Sequence, residues 1–200
     1  MQTKKTKIFC SLLLVVCCLM VSCTTKTQES ENLYNIDSLI AGQAEHLLVH
    51  KARINKKASL NSVEKITSTV PTSKSEWKNE LDIFMELDAI NKPINKDAYK
   101  VEMYADVKSN LKVKAFRTAI DLPVKYVLVY YHQSLKEVRK IEALYNETNT
   151  LYSSARFLTM EFQNISNQTV TTSYSVNGGQ KMFLDDTVTY KIDATIVLKK

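Results

Sequence analysis

The chain has 200 residues, of which 44% are hydrophobic, with 27 Lys and Arg against 21 Asp and Glu. This length is enough for one domain with a real core. Only three glycines are present (Gly42, Gly178 and Gly179), so neither a P-loop nor a dinucleotide-binding fingerprint can be written in this sequence. No serine has the flanking glycines of a nucleophile elbow, which excludes that class of hydrolase site.

The first 22 residues have the plan of an export signal. Lys4, Lys5 and Lys7 form a positive start, an apolar run covers residues 8–21, and the small residue Ser22 follows. The apolar run contains 14 residues, which as a helix would rise about 21 Å. A membrane-spanning helix has to cross a hydrocarbon core of about 30 Å. The segment is therefore predicted to be a removed signal peptide rather than an anchor helix.

A cysteine stands directly after the predicted cleavage point. Cys23 follows Val21 and Ser22, with Met20 before them. This arrangement resembles the lipobox of bacterial lipoproteins, in which small residues precede a cysteine that receives diacylglycerol and becomes the acylated N-terminus. The resemblance covers residues 1–23 only, and it implies that Cys23 is a lipidation site that attaches the chain to a membrane. The alternatives are an ordinary soluble secretory signal that is cut near Ser22 and an apolar leader whose cysteines are incidental.

The expected organisation is a signal peptide over residues 1–22, a lipidated N-terminus and flexible tether over residues 23–30, and a single domain over residues 31–200. The signal contributes three of the 27 basic residues and none of the acidic ones, so the rest of the chain carries 24 basic and 21 acidic residues. A mixed surface charge and export together predict no nucleic-acid partner. No Asp directly follows Cys23, which favours the outer membrane, with its periplasmic and surface faces both open.

The domain is predicted to begin with an amphipathic helix. Apolar residues recur at steps of three and four over residues 31–50, and Ser30 is the expected N-cap. Residues 51–67 are ambiguous from their pattern. They fit either a short strand pair that turns near residues 55–57 or a ragged extension of the helix.

A second helix is predicted after Pro71. Ser73 and Glu76 have the spacing of a capping box, and this helix is expected to end by Asn91, before Pro93. Its apolar residues fall on one face, which is expected to pack on the rest of the domain: Trp77, Leu81 and Phe84.

From residue 99 the hydrophobic period changes to two, which predicts antiparallel strands. Residues 124–131 are apolar on both faces and are expected to form a central strand. Residues 134–145 fit a helix or a strand, and the short turns around them favour a strand. The Asn-Gly-Gly run at residues 177–179 predicts a hairpin turn. The other expected strands cover residues 101–107, 111–115, 151–162, 170–176, 181–184 and 188–198.

These elements together predict an α+β fold. Two N-terminal helices are expected to pack on one twisted antiparallel sheet of seven or eight strands in meander order. Helices that precede a run of strands argue against βαβ units and a parallel sheet.

Two histidines could be considered for a metal. His46 and His50 are four residues apart on the first predicted helix, a spacing that can place two imidazoles on one face. The Glu that a zincin needs after the first His is absent, so a further ligand would have to come from His132 or from a carboxylate. Partly exposed helix histidines are the preferred interpretation, and no metal site is predicted.

The acidic residues and cysteines predict no enzyme chemistry. Asp185 and Asp186 come before Asp193 without the spacing of an EF-hand, Glu161 adds no defined pair to them, and Asp-Asp before a strand is a common turn. All four cysteines lie at or before Cys23, so the domain has none for a disulfide, a zinc site or nucleophilic catalysis. We therefore expect no metal, no cofactor and no enzymatic activity.

Ten tyrosines make up most of the aromatic residues. The candidate ligand-binding residues are Tyr104, Tyr126, Tyr130 and Tyr131. Tyr126 and Tyr130 share one face of the predicted central strand and Tyr131 the other, while Tyr104 is expected on a neighbouring strand. A tyrosine-lined groove can stack on sugars or hold an apolar ligand. The alternative is that these tyrosines are only strand formers whose hydroxyl groups reach the sheet edge.

The expected function is that of a non-enzymatic cell-envelope lipoprotein that binds or scaffolds a partner at the membrane surface. Its predicted partners are the membrane, through the lipid, and an unidentified envelope protein or lipid. The alternative is a carrier of a lipid or other apolar ligand in a sheet-and-helix cavity, and a hydrolase is the least favoured reading. Two short motifs also resemble O-glycosylation acceptors of some Gram-negative lineages, at Ser38 and Thr187. The carrier hypothesis predicts a cavity lined by Leu128, Val129, Phe157 and Phe162.

Overall fold

The computed structural model describes residues 33–184 and 186–199. Within them, every strand belongs to one antiparallel sheet. The strands are β1 (Arg53–Leu60), β2 (Val63–Thr69), β3 (Lys100–Ala105), β4 (Lys112–Arg117), β5 (Val124–Tyr131), β6 (Val138–Thr148), β7 (Tyr152–Ile165), β8 (Gln168–Met182) and β9 (Thr187–Val197). Their order is β2-β1-β9-β8-β7-β6-β5-β4-β3. Strands β3 to β9 therefore form a meander, and the β1–β2 hairpin is added beside β9.

The helical elements pack on one side of this sheet, which we call the helix-facing side; the other is the outer side. Two of the described helices are longer than ten residues, and the β1–β2 hairpin separates them in the chain. None of the helices that the structure describes has the length and apolar character needed to cross a membrane. The helical elements are α1 (Ile36–Val49), α2 (Lys74–Met85), a 3-10 helix (Glu86–Asn91) and α3 (Pro93–Lys96).

The helix starts follow from side-chain caps. The predicted capping box of α2 is confirmed, because the Glu76 backbone N–H donates to Ser73 Oγ (3.2 Å) and the Thr72 backbone N–H donates to Glu76 Oε2 (2.8 Å). Helix α1 starts later than predicted. Its N-cap is Asn35, whose Oδ1 accepts the backbone N–H of Ser38 (2.8 Å), and not Ser30.

The predicted fold class, with two N-terminal helices on a meander of seven or eight strands, is wrong. The sheet has nine strands, α2 follows a β-hairpin instead of α1, and the helical part includes two further short elements. The turn expected near residues 55–57 lies inside β1. The chain turns at Asn61 and Ser62, whose φ angles are 45° and 73°. Two consecutive positive φ values make a tight hairpin turn that is usually marked by Gly, and no Gly marks it here.

The hairpin predicted at residues 177–179 is also wrong, since these residues lie inside the long strand β8. Neither glycine has a positive φ. A Cβ atom on Gly178 would lie 2.7 Å from the backbone oxygen of Ala155 and 2.8 Å from the ring of Tyr190. Gly178 is therefore required by the close approach of its neighbours, and the expected strands 170–176 and 181–184 are parts of one strand.

The core lies between the helices and the helix-facing side. Trp77, Leu81 and Phe84 of α2 are buried there, as the helical periodicity predicted. The strand predicted over residues 124–131 is β5, but it lies third from the β3 edge rather than at the centre, and the helices cover one of its sides. The ambiguous segment after Ser134 forms strand β6, so the strand favoured there is confirmed. The sheet contributes apolar residues from its middle strands, among them Phe116, Val127, Val129, Ile141, Leu158, Met160, Val176 and Ala194.

A buried glutamine joins helix α1 to the sheet. Gln43 is 5% exposed. Its Nε2 donates to the Thr169 carbonyl (2.9 Å), and its Oε1 accepts the Thr171 backbone N–H (2.7 Å). The side-chain amide thus supplies the hydrogen bonds that a neighbouring strand would give to β8, and it leaves no buried backbone group unpaired at this point.

A second polar anchor joins helix α2 to the sheet. Lys56 Nζ on β1 donates to both carboxylate oxygens of Glu80 (2.6 and 2.8 Å), and the Tyr174 hydroxyl on β8 donates to the same carboxylate. Burial raises the pKa of Tyr174 well above its usual range, and the bond to Glu80 adds to this rise. The phenol therefore stays a neutral donor, and the cluster fixes α2 over β1 and β8.

Candidate functional site

The outer side of the sheet carries a second apolar cluster, separate from the helix-facing core. Val113, Ala115 and Leu128 are buried on this side, with Tyr126 and Tyr130 packed against them. Such a cluster on the side opposite the helices departs from the usual half-polar antiparallel sheet. We call the surrounding group the tyrosine patch, and it consists of Tyr104, Arg117, Tyr126, Tyr130, Lys140 and Glu142.

Strand register brings the patch together from four strands. Tyr104 on β3 is opposite Val113 on β4, which is opposite Tyr130 on β5. Paired residues point to the same side of a sheet, so the two tyrosines lie in one row with the valine between them. In the neighbouring row, Arg117 is opposite Tyr126. The predicted common face of Tyr126 and Tyr130 is therefore confirmed, and Tyr104 lies on the same side.

Tyr130 is held by two residues of β6. Lys140 Nζ lies 4.1 Å from the centroid of the Tyr130 ring, within the range of a cation–π contact. The Tyr130 hydroxyl donates to Glu142 Oε2 (2.8 Å), and Lys140 Nζ lies 2.8 Å from Glu142 Oε1. The lysine, the carboxylate and the phenol thus fix one another, and little side-chain freedom is left to lose when a partner binds.

Arg117 links the other two tyrosines. Its guanidinium carbon lies 5.4 Å from the centroid of the Tyr126 ring, and its Nη2 lies 3.5 Å from the Tyr104 hydroxyl. Arg117 is exposed, as is Tyr104. Guanidinium groups bind carboxylates in two-pronged geometry. The patch therefore offers an exposed cation beside partly buried aromatic rings.

Tyr126 and Tyr130 are neutral at ordinary pH. Burial raises the pKa of Tyr130, and its hydrogen bond to Glu142 raises that pKa further. Burial also raises the pKa of Tyr126, again with a contribution from the charge of Glu142. Neither phenol has the lowered pKa that would suit a general base or a nucleophile.

The residues beside the rings of Tyr126 and Tyr130 limit what these rings can contact. Tyr130 stands between Val113 and Lys140 in its row, and Tyr126 stands between Arg117 and Leu144 in the neighbouring row. The neighbouring side chains therefore occupy the space beside each ring. This arrangement disfavours flat stacking of a sugar and favours contact through ring edges, hydroxyl groups and the two cations.

Of the four predicted tyrosines, one does not belong to the patch. Tyr131 follows Tyr130 on β5, so it points to the helix-facing side, and it is 8% exposed. The sequence interpretation missed Arg117, Lys140 and Glu142. All three lie on strands whose pattern does not show which residues are neighbours across the sheet. Their position beside the tyrosine rings follows from the register of β4, β5 and β6.

The histidine pair is part of helix α1. The rings of His46 and His50 stack with centroids 4.1 Å apart, and His50 Nδ1 lies 2.9 Å from the His46 carbonyl oxygen. His132 lies elsewhere, 3.5 Å from Glu137. Burial lowers the pKa of His46, and the neighbouring His50 lowers it further. In the part of the chain that the structure describes, no three His, Cys, Asp or Glu residues are grouped to hold a metal ion.

The acidic residues considered from the sequence do not meet. Glu161 accepts a hydrogen bond from Ser173 Oγ (2.9 Å), and Asp193 forms an ion pair with Lys191 (2.7 Å). Asp186 is exposed in the connection between β8 and β9, and Asp185 lies outside the described residues. The two that make contacts thus bond to their own neighbours.

The four residues named for a lipid cavity are divided between the two sides of the sheet. Val129 and Phe162 belong to the helix-facing core, whereas Leu128 belongs to the outer cluster. Phe157 lies on the outer side, opposite Leu144. These residues therefore do not line one cavity, and the space under the helices is filled by large side chains such as Trp77.

A polar pocket of about 440 Å³ lies at the end of the 3-10 helix. Arg156 donates to both carboxylate oxygens of Glu86 (3.1 and 2.8 Å) and lies 4.1 Å from the centroid of the Tyr145 ring. The Tyr145 hydroxyl donates to Glu147 (3.1 Å). Arg156 and Glu86 are thus paired with each other, which is the arrangement of a structural ion pair.

The predicted modification sites stay predictions. Cys23 and the signal peptide lie outside the described residues. Ser38 is exposed in the first turn of α1, and Thr187 is exposed at the start of β9. Comparisons of the chain with protein-family models, with curated proteins and with solved structures found no match. Function therefore has to be inferred from the geometry of the described residues.

Proposed function

We propose that this protein is a non-enzymatic cell-envelope lipoprotein that is attached to a membrane through Cys23 and binds a protein partner through the tyrosine patch. The observation that supports the binding site is the composition of the patch. Three tyrosines and an arginine stand around an apolar floor on the side of the sheet that carries no helix in the described residues. Tyr and Arg are enriched in protein interfaces and in their energetic hot spots.

The chemistry of the patch also indicates the kind of partner. The exposed Arg117 favours a carboxylate, and the edges of Tyr104 and Tyr126 favour apolar side chains beside it. Tyr130 is fixed by Lys140 and Glu142 before any partner arrives. A protein surface with an acidic residue next to apolar residues therefore fits this site better than a sugar or a free lipid.

The test of the binding site is capture from detergent-solubilised envelopes with single variants of the full chain. Tyr126→Ala and Tyr130→Ala are compared with Tyr152→Ala, a partly buried tyrosine away from the patch. Loss of a hot spot of about 2 kcal/mol lowers affinity by about thirtyfold. Quantitative mass spectrometry should show one protein set that both patch variants lose and that Tyr152→Ala keeps. A set that is equally recovered with all three variants would refute the proposed site.

The proposed attachment has its own test. Cys23→Ser removes the thiol that would carry diacylglycerol, so the protein should leave the membrane fraction or stay uncleaved. Two acyl chains give stable anchoring, at about 0.8 kcal/mol per buried CH₂. Fractionation with detection of the lipid measures this result. A Cys23→Ser variant that is acylated and processed like the wild type would overturn the lipoprotein proposal without bearing on the patch.

A further inference from the structure

The nine-stranded sheet is open, and β3 is one of its two edges. Among the described residues, β4 is the only strand that pairs with β3. An edge strand presents backbone N–H and C=O groups that can pair with another strand. The backbone N–H and C=O groups of β3 that point away from β4 therefore decide which strand can pair with this edge.

The outward-pointing groups follow from the pairing of β3 with β4. The Asp106 backbone N–H donates to the Leu111 carbonyl (2.9 Å) across the turn that joins these strands. Hydrogen-bonding direction alternates along an antiparallel strand. Lys100, Glu102 and Tyr104 therefore bond to β4. The residues whose backbone groups point away from the sheet are Val101, Met103 and Ala105.

The same three residues present an apolar side-chain row. Their partners across β4 place them on the helix-facing side, but the helices do not cover them there. Val101 is 40% exposed and Met103 is 71% exposed. The free edge of β3 thus combines unpaired backbone groups with an exposed apolar row on one side and with Lys100, Glu102 and Tyr104 on the other.

A second copy of β3 fits this edge in one antiparallel register. With Met103 facing Met103 across a two-fold axis, Val101 faces Ala105 of the second copy. Lys100 then faces Asp106 of that copy, which places opposite charges together twice, and Glu102 faces Tyr104. All outward-pointing backbone groups meet, giving about six hydrogen bonds. Opposite charges and apolar pairs in facing positions stabilise a sheet.

The other registers that pair the outward-pointing backbone groups are less favourable in charge or in the length of the pairing. Centring the axis on Glu102 places two carboxylates opposite each other. Centring it on Tyr104 places Glu102 opposite Asp106. Like charges in facing positions are destabilising. Centring the axis on Val101 or Ala105 leaves about half of the strand without a partner strand. The sequence of β3 thus selects a register that is self-complementary in both charge and apolar contact.

We propose that this protein forms a two-fold dimer in which β3 pairs with β3 of a second copy, with Met103 at the axis. The axis is perpendicular to the sheet, so the outer sides of both copies lie on the same side of one continuous sheet. The two tyrosine patches then lie side by side. The dimer does not depend on the proposed partner, because the residues that form it can be changed without touching Tyr126 or Tyr130.

The first test uses disulfide formation in native envelopes. In the proposed dimer the Cα atoms of residue 103 lie about 5.5 Å apart, which is within disulfide range. The full chain with Met103→Cys is compared with Ile66→Cys, the matched residue of the other edge. Ile66 is 76% exposed, and its backbone groups also point outward. Two tagged copies and a non-reducing gel measure the linked homodimer, with the wild-type chain as background.

Met103→Cys should give about tenfold more linked homodimer than Ile66→Cys, since only the former places the two thiols at the axis. Equal yields for the two variants would overturn the proposal. Linkage of the introduced thiol of Met103→Cys mainly to a different protein would also overturn it, because the edge would then have another occupant.

The second test exchanges the charges. Lys100→Glu and Asp106→Lys should each weaken the homodimer about tenfold, because each places like charges opposite each other twice. A mixture of the two variants should pair as well as the wild type. In the mixed dimer the new glutamate of one chain faces the new lysine of the other, and the unchanged Asp106 faces the unchanged Lys100.

The charge exchange needs a control for folding. Lys100 forms an ion pair with Glu102 of its own strand (2.8 Å), and Asp106 accepts a hydrogen bond from Ser109 (2.6 Å), so circular dichroism checks the fold of each variant. Failure of the mixture to pair, with both chains folded, would refute the register.

Discussion

The two edges of the sheet, β2 and β3, differ in whether their side chains discourage pairing with another strand. On the helix-facing side of β2 the residues are Val63, Lys65, Thr67 and Thr69, whereas on β3 they are Val101, Met103 and Ala105. A charged residue that points inward on an edge strand discourages pairing with another chain. On β2, Lys65 is such an inward-pointing charged residue. The helix-facing side of β3 has no charged residue.

The exposure of apolar residues does not separate the two edges. Ile66 at the centre of β2 is as exposed as Met103 at the centre of β3. The difference lies in their arrangement. Facing copies of β2 centred on Ile66 place Lys65 opposite Thr67 and Glu64 opposite Ser68, so no opposite charges meet. An open edge becomes an interface when its apolar residues share one side and its charges complement each other.

The edges also differ in the support that lies behind them. Strand β1, which carries β2, is fixed to helix α2 by Lys56 and Glu80. Strand β3 is exposed along most of its length. The largest expected effect is therefore on stability at the β2 end.

Tyr174→Phe removes the hydroxyl that donates to Glu80, and Tyr104→Phe removes a hydroxyl of the β3 end. A hydrogen bond to a charged group contributes about 1.5–3 kcal/mol, so Tyr174→Phe should lower the free energy of unfolding by about that amount. Tyr104→Phe should change it by less than about 0.5 kcal/mol, because its contact is exposed and long. Urea unfolding of both variants measures the difference. Equal losses would show that the two ends are supported alike.

The second prediction removes the protection of β2. Lys65→Val takes away the inward charge and leaves two valines on that side of the strand. Linked homodimer through Ile66→Cys should then rise severalfold in the double variant, towards the yield of Met103→Cys. The free energy of unfolding should change by less than about 0.5 kcal/mol, since Lys65 is exposed. An unchanged yield would mean that Lys65 does not protect this edge.

The smallest expected effect is a pH dependence of the free energy of unfolding. It arises at the β2 end, near the connection from α1 to β1. The pKa of His46 is lowered by burial and by His50, so the unfolded chain binds this proton more tightly than the folded protein does. The free energy of unfolding should therefore decrease as the pH falls below about 6.5, the ordinary pKa of histidine. His46→Gln should flatten this slope relative to the wild type. Thermal unfolding at pH 5 and pH 8 checks the result.

Local signals in the sequence were sufficient for several elements. The capping box at Ser73 and Glu76 marks the start of α2, and the apolar run at residues 124–131 marks strand β5. Two turns were misread. Gly178 and Gly179 looked like a hairpin turn although Gly178 is required by close packing, and the real hairpin turn uses Asn61 and Ser62. A glycine needed for space and a glycine needed for a positive φ look the same in a sequence.

The candidate site was only partly predictable, because a local pattern does not show how distant segments pack. The period of two places Tyr126 and Tyr130 on one side of β5, but it does not say which side the helices cover. Tyr131 could therefore be named beside them, although it points into the helix-facing side. Arg117 and Lys140 come from strands on either side of β5, and only the register of three strands brings them to the tyrosine rings.

Properties that depend on neighbours along the chain can be read from the sequence: the resemblance of residues 1–23 to a lipobox, the capping box of α2 and the alternation of the strands. The positions of the edge strands, the side that the helices cover and the contacts between distant side chains depend on how the whole sheet packs. Pairing between distant strands is set by the packing of the whole sheet, and no single segment encodes it. The self-complementary row of β3 was present in the sequence, but its meaning depends on β3 lying at an open edge.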